Sequence, residues 1–251
     1  MRLFFDLLFE MTGKELRTRY KNTLFGFLWV VINPLIQMLV IGFIFRFFIK
    51  EPIQNYYIYL LVGLLVWNFF NMTLTKTTSS IVNERGLIKK AKIQREIIPL
   101  SIVLSNAFHL IVAFLILSIP IYFISGFSLS IFQLMLLGTV LLVLFTTGLS
   151  LLTSALNTRF RDVSFFVQAL LIVWFYATPI IYSIDIVPKN LEWMWNLNPM
   201  TSIVLIFQSA LVSTSLPNPT ILIFNILFIV LITVIGFFTF KSMSKDFDDW
   251  I

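Results

Sequence analysis

From Thr220 to Phe240 the chain reads TILIFNILFIVLITVIGFFTF, without one charged side chain. An α-helix of that length crosses the roughly 30 Å hydrocarbon core of a bilayer. Similar apolar runs cover Leu24–Phe48, Tyr56–Thr75, Ile97–Ile124, Ile131–Leu156 and Val163–Tyr182. A membrane β-barrel would instead show alternating segments of about 10 residues. The sequence therefore predicts an all-α integral membrane protein with six transmembrane helices. Only 12% of the 251 residues are charged, against about 25% in soluble domains. One bundle uses nearly the whole chain and leaves no room for a second globular domain.

The charges orient that bundle. Six spans put both termini on one side, together with all but three of the 18 Lys and Arg residues; Arg46, Lys50 and Lys189 fall opposite. Basic residues concentrate in cytoplasmic loops, so both termini are placed in the cytoplasm. The net charge of +6 then belongs to those loops and not to a nucleic-acid site. Residues 2–22 carry Asp6, Glu10, Lys14, Arg17 and Lys21 on one helical stripe, with Leu3, Phe4, Leu7, Leu8 and Met11 covering the other side. Such a helix lies in the membrane interface or packs on the cytoplasmic flank of the bundle. No cleavable signal is expected, since Asp6 and Glu10 break the first apolar run. The apolar run after Pro199, MTSIVLIFQSALV, is short for a span. It is expected to dip in from the outer face, behind an interfacial anchor formed by Trp193 and Trp195.

Several chemistries are missing. The chain has no cysteine, no G-x-x-x-x-G-K-[ST] phosphate loop, no G-x-G-x-x-G fingerprint and no G-x-S-x-G elbow. Its single histidine, His109, cannot build an H-E-x-x-H zinc site and is expected to make a polar contact between helices. No enzyme site is expected. All twelve acidic residues fall outside the expected hydrocarbon interior. That weighs against a proton-driven carrier, which keeps ionisable groups at membrane depth. A sodium-driven carrier using backbone carbonyls stays open.

The most charged stretch is NERGLIKKAKIQREIIP, Asn83–Pro99. One reading is a topology signal that touches anionic lipid. The other follows from Leu87, Ile88, Ala91 and Ile93, which are interleaved with the cations: a short helix that docks a cytoplasmic partner such as an ATPase.

Four stretches, in order, carry a resemblance: RYKNTLFGFLWVVINPL (19–35), NERGLIKKAKIQREIIPLS (83–101), FRDV (160–163) and LNPMT (197–201). The chain resembles the permease subunit of ABC-2 type exporters, in the polysaccharide branch of O-antigen (Wzm-type) and teichoic acid export. The sequence departs locally at Gln94-Arg95-Glu96, where the family often has a proline.

The resemblance implies a cytoplasmic interface helix at 1–23, a six-span transmembrane domain at 24–240 and a cytoplasmic tail at 241–251. Within the domain it implies a coupling loop at 82–96 and an external gate region at 183–219. It implies two copies of the chain, paired with two copies of a separate ATP-binding subunit that carries ATP and Mg; this chain itself holds no cofactor. Glu84, Arg85, Leu87, Lys89, Lys90, Lys92 and Arg95 would dock that subunit. Arg17, Arg19, Lys21, Arg159, Arg161 and Asp162 would stand at the cytoplasmic mouth or interface. The first and fifth spans would line a channel, with Phe25, Trp29, Trp174, Phe175 and Tyr176 as candidates, and Asn198 and Pro199 would belong to the outer gate. The cargo would be a glycan on a polyprenyl carrier, moved across a bacterial cytoplasmic (inner) membrane. For Trp174, Phe175 and Tyr176, packing or lipid contact is the alternative. For the basic residues, positive-inside anchoring is the alternative to attracting a pyrophosphate. An ABC-2 exporter of a drug or small lipid, an ion-coupled carrier and a membrane scaffold are the competing functions.

Overall fold

The structure, a computed structural model, describes residues 2–21, 26–46, 53, 55–90, 93–125, 128–212, 214 and 216–250. Among these residues every regular element is a helix. Four helices are long and apolar enough to cross a membrane: α3 (Tyr56–Thr78), α6 (Ile97–Ser125), α7 (Leu129–Arg159) and α11 (Pro219–Met243). Three apolar helices are shorter: α2 (Trp29–Arg46), α8 (Val163–Tyr176) and α10 (Pro199–Val212). The remaining helices are α1 (Arg2–Tyr20), α4 (Ser80–Asn83), α5 (Arg85–Lys90), α9 (Glu192–Asn196) and α12 (Phe247–Trp250).

Local chemistry sets the ends. Pro219 occupies the first turn of α11, where its missing N–H costs nothing, and Asn218 Oδ1 accepts from Thr220 N at 2.9 Å. The chain turns into α2 through Gly26, whose φ of +49° suits only glycine readily. Pro179 ends the apolar run of α8 early. The residue before a proline avoids helical dihedrals, so α8 stops at Tyr176 and not near Tyr182 as the run suggests.

Helix α3 stands at the centre, flanked by α2, α6, α7, α8 and α10. Leu60, Val62, Val66 and Phe70 on it are fully buried. Helix α10 is buried nearly along its whole length, with Ile203, Val204, Ile206 and Phe207 inaccessible. Phe207 stacks on Phe114 of α6 and fills the space over Gly138 of α7. At the other extreme, α11 shows Phe224, Leu227, Leu231 and Phe238 outward, as a helix facing lipid does.

The closest helix pair is α7 with α11. A Cβ on Gly236 would lie 2.1 Å from the carbonyl oxygen of Gly148, and one on Gly148 would lie 2.6 Å from Thr233 Cα. The two backbones touch, and Thr233 Oγ1 donates across the seam to Leu144 O at 3.1 Å. Without a hydrophobic drive between helices in lipid, close backbone packing of small residues supplies the adhesion.

A second core lies at one end of the bundle. There Leu8 and Met11 of α1, Ile81 of α4, Ile88 of α5, Ile97 and Ile98 of α6, Leu151 and Ala155 of α7, Phe240 of α11 and Phe247 of α12 pack together. The inward arc of α1 is Phe4, Leu7, Leu8 and Met11. Leu3 falls just outside that arc and is exposed, contrary to the stripe drawn from sequence. The segment 241–250 joins this core through Phe247, which is fully buried.

Replacing Gly236 with alanine should separate α7 from α11 and cost about 1–3 kcal/mol, read as a lower unfolding midpoint in detergent. Gly86→Ala, where an added Cβ meets nothing within 4 Å, should leave the midpoint unchanged or raise it slightly.

Candidate functional site

The stripe Leu64, Trp67, Asn68, Asn71, Thr75 recurs every three or four residues along α3 and so shares one face. It forms the floor of a groove of about 450 Å³. Gln37 and Ile41 of α2 make one wall; Gln168, Leu171, Phe175 and Tyr176 of α8 make the other. Asn68 Nδ2 donates to Gln37 Oε1 at 3.0 Å and ties floor to wall. Amides, a threonine, aromatic rings and aliphatic side chains line this groove, and among the described residues no charged side chain does. Such a surface offers hydrogen-bond donors and acceptors together with flat apolar faces. It suits a neutral, hydroxyl-rich solute.

Tyr176 and Phe175 line the groove. Trp174 turns away: its ring meets Phe70 and Phe145, and its Nε1 donates to Asn198 Oδ1 at 2.8 Å. Trp29 borders a separate cavity beside Arg19. Phe25 and Lys92 lie outside the described residues.

Beyond the Leu64 end of the groove, around Tyr56 and Tyr59 of α3, lies a polar hub. After α8 the backbone 177–182 is non-helical, yet it is packed in protein, and its carbonyls are bonded by side chains. Asn198 Nδ2 donates to Ala177 O at 3.1 Å, Tyr59 OH to Pro179 O at 3.1 Å and to Tyr182 O at 2.9 Å, and Tyr56 OH to Ile181 O at 3.0 Å. Trp195 Nε1 donates to Tyr182 OH at 2.6 Å. Asn198 also caps α10, accepting from Met200 N at 3.0 Å, with Pro199 in the first turn. Of the residues assigned to an outer gate, Asn198 thus joins two helix ends and Pro199 is buried.

The other end carries the cations. Leu87 and Ile88 turn α5 toward the second core, which leaves Arg85, Lys89 and Lys90 exposed. Glu84 is held by Lys14 of α1 at 3.0 Å, and Lys76 pairs with Glu15. Arg95 pairs with Asp248 and lies over the Phe247 ring. Arg161 Nη2 donates to Trp250 O at 3.3 Å, and Arg159 sits over the rings of Phe160 and Trp250. Asp162 is exposed before α8 and makes no ion pair with Arg161 among the described residues. Arg17 and Lys21 are exposed, whereas Arg19 is drawn between helices to Asn106 and His109. Sequence reasoning missed Gln37, Asn68, Asn71 and Gln168. The polar spacing inside the α3 run was the available signal.

Buried helices around a charge-free polar groove, with cations gathered at one end, describe an all-helical integral membrane protein. A family profile described as ABC-2 type transporter matches residues 6–212. The chain is similar to an O-antigen export system permease protein, RfbA, of Klebsiella pneumoniae, 33% identical over 245 residues, which cover 97% of this chain and 94% of that protein. An RfbA of Myxococcus xanthus is 30% identical over 219 residues, 84% of this chain and 82% of its own length. The polysialic acid transport protein KpsM of Escherichia coli is 22% identical over 240 residues, 92% of this chain and 91% of its own. The chain belongs to the ABC-2 type transporter family.

Asn198→Ala removes a helix cap and the bridge to Ala177, and should cost about 1–2 kcal/mol. Amide hydrogen exchange should quicken in 177–182 and in the first turn of α10, and unchanged exchange there would refute the hub.

Proposed function

We propose that this chain is the membrane-spanning permease subunit of an ATP-driven exporter of a lipid-linked polysaccharide, of the O-antigen or teichoic acid type. The observation that carries this reading is the groove: amides and aromatic rings in a charge-free track between α2, α3 and α8. The relatives' names give the direction, since they match nearly end to end and denote polysaccharide transport.

Half a conduit is what one chain supplies. Helix α8 buries Val167 and Leu171 but leaves Phe165, Phe166, Ile172 and Val173 more than half exposed. A second copy against this face completes the passage. Helices α2, α3, α6, α7, α8 and α11 are then the six spans, with α10 re-entrant from the outer face and both termini in the cytoplasm of a bacterial inner membrane. The cationic face of α5, with Glu84 and Arg95 fixed beside it, docks one of two ATP-binding subunits, which hold ATP and Mg. Because α5 shares its core with α1, α6, α7 and α12, a push on α5 is delivered to several helices as rigid bodies.

Two measurements test this. Changing Arg85, Lys89 and Lys90 together to Glu should abolish co-purification of an ATP-binding subunit while the chain still inserts. Undiminished co-purification sinks the docking reading. Asn71→Leu with Gln168→Leu should cut polymer export by about tenfold or more, as lost polar contacts in a desolvated site do, with subunit association intact.

A further inference from the structure

On the other side of the α2–α3 crossing lies a more enclosed cavity of about 210 Å³, bounded by α1, α2, α3 and α6. It shares Asn68 with the groove. Arg19 enters it from the last turn of α1. Its Nη1 donates to Asn106 Oδ1 at 2.7 Å and to His109 Nδ1 at 2.6 Å. A guanidinium has no lone pair to offer, so Nδ1 is the acceptor. Asn106 and His109 are 6% and 5% exposed, and Asn106 is itself anchored through Nδ2 to Thr73 Oγ1 at 3.0 Å. The guanidinium is therefore held in place by buried neutral acceptors.

No carboxylate balances it among the described residues. Among the described residues the ion pairs are Lys14–Glu84, Lys76–Glu15 and Arg95–Asp248. Among the described residues Nη2 of Arg19 meets the Met72 thioether alone, at 3.7 Å, which is a weak acceptor. Donors on one edge of a fixed cation thus remain for an anion. Asn33 lines the same cavity and makes no hydrogen bond of its own among the described residues. A fork of N–H donors matches two oxygens of a phosphate.

The position selects the bearer of that phosphate. Asn106 and His109 lie roughly 14 and 18 Å along α6 from Ile97, at 1.5 Å per residue, measured from the bundle end that carries α5 and α12. That is about three helical turns in from the start of α6. The rest of the wall is apolar, with Val30, Leu65, Leu110 and Ala113. A phosphate that arrives there with an apolar chain attached matches both parts of the lining.

We propose that the Arg19 cavity receives the phosphate group of a membrane lipid, with the guanidinium as its clamp and the apolar wall against the first part of its chain. Two sources share this chemistry: a resident anionic phospholipid, or a prenyl phosphate that carries cargo to the adjoining groove. The carrier source rests on the export reading above, whereas the binding itself does not: a site that takes phosphatidylglycerol stands even if export fails.

The test is equilibrium binding and native mass spectrometry on the delipidated full-length chain in detergent. The probes are phosphatidylglycerol, farnesyl diphosphate, diacylglycerol and inorganic phosphate. We expect one saturable site per chain for a phosphate-bearing lipid. Arg19→Gln should weaken it by about tenfold or more, as loss of a charge-assisted pair does. Asn33→Leu, which removes no structural hydrogen bond, should weaken it too, and Lys241→Gln, remote on α11, should not. Preference for phosphatidylglycerol identifies a resident lipid, and preference for farnesyl diphosphate identifies a carrier; either supports the site. Equal binding of diacylglycerol, or inorganic phosphate bound as tightly as the lipids, overturns it. If Arg19→Gln does not fold, full-strength binding to Asn33→Leu overturns it as well.

Discussion

A bilayer has no water to satisfy a broken helix, and the organisation of this protein follows from how it solves that problem after Tyr176. Pro179 forbids continuation of α8, which would leave the carbonyls of 177–182 stranded at cost of several kcal/mol each. Tyr56 and Tyr59 from α3 and Asn198 from the start of α10 donate to them instead. Irregular backbone survives here because it is enclosed by protein. That enclosure requires α10, which explains why this short helix is buried at the centre and does not stand at the edge. Gly63 on α3 belongs to the same solution, since a side chain there would press on Ile180 at 3.1 Å.

A shortened α8 has a further effect. It cannot bury both its faces within one chain, so its large apolar residues remain outward beside the groove. The groove and the Arg19 cavity then lie on either side of the α2–α3 crossing, with Asn68 common to both. One compartment is uncharged and amide-lined, the other holds a fixed cation. The division separates neutral from anionic chemistry within a single short stretch of α3.

The long apolar helices were legible in the sequence. The runs at Tyr56–Thr75, Ile97–Ile124, Ile131–Leu156 and Thr220–Phe240 became α3, α6, α7 and α11 with ends shifted by three residues or fewer. Apolar length fixes such helices with no tertiary information. The short elements were harder, because their ends depend on partners: α8 stops where Asn198 and Tyr59 can take over its hydrogen bonding. Trp174 illustrates the limit for sites. Composition favours neither the groove nor the core, and the neighbouring Asn198, 24 positions away, decides for the core. Gln37 and Gln168 were missed for the same reason, since a lone amide in an apolar run gains meaning only from the one facing it. Arg19 looked like one more interfacial cation, and its buried acceptors come from a helix nearly ninety positions on.

At the opposite end the same reasoning explains why a sequence that looks like a loop and a tail behaves as one piece. Isolated exposed ion pairs such as Lys14–Glu84 contribute at most about 1 kcal/mol, too little to order α5 alone. The apolar residues settle the matter: Ile88, Phe240 and Phe247 are buried together with Leu8 and Met11. Each of these is worth roughly 1.5–3 kcal/mol on burial, so the core holds the segments and the ion pairs fix their register. Cations left outside that core are free to meet another surface, while any force on them passes into α1, α6, α7 and α11 through contacts that do not compress. A greasy underside and a basic upper face on one six-residue helix fit the docking role proposed for α5.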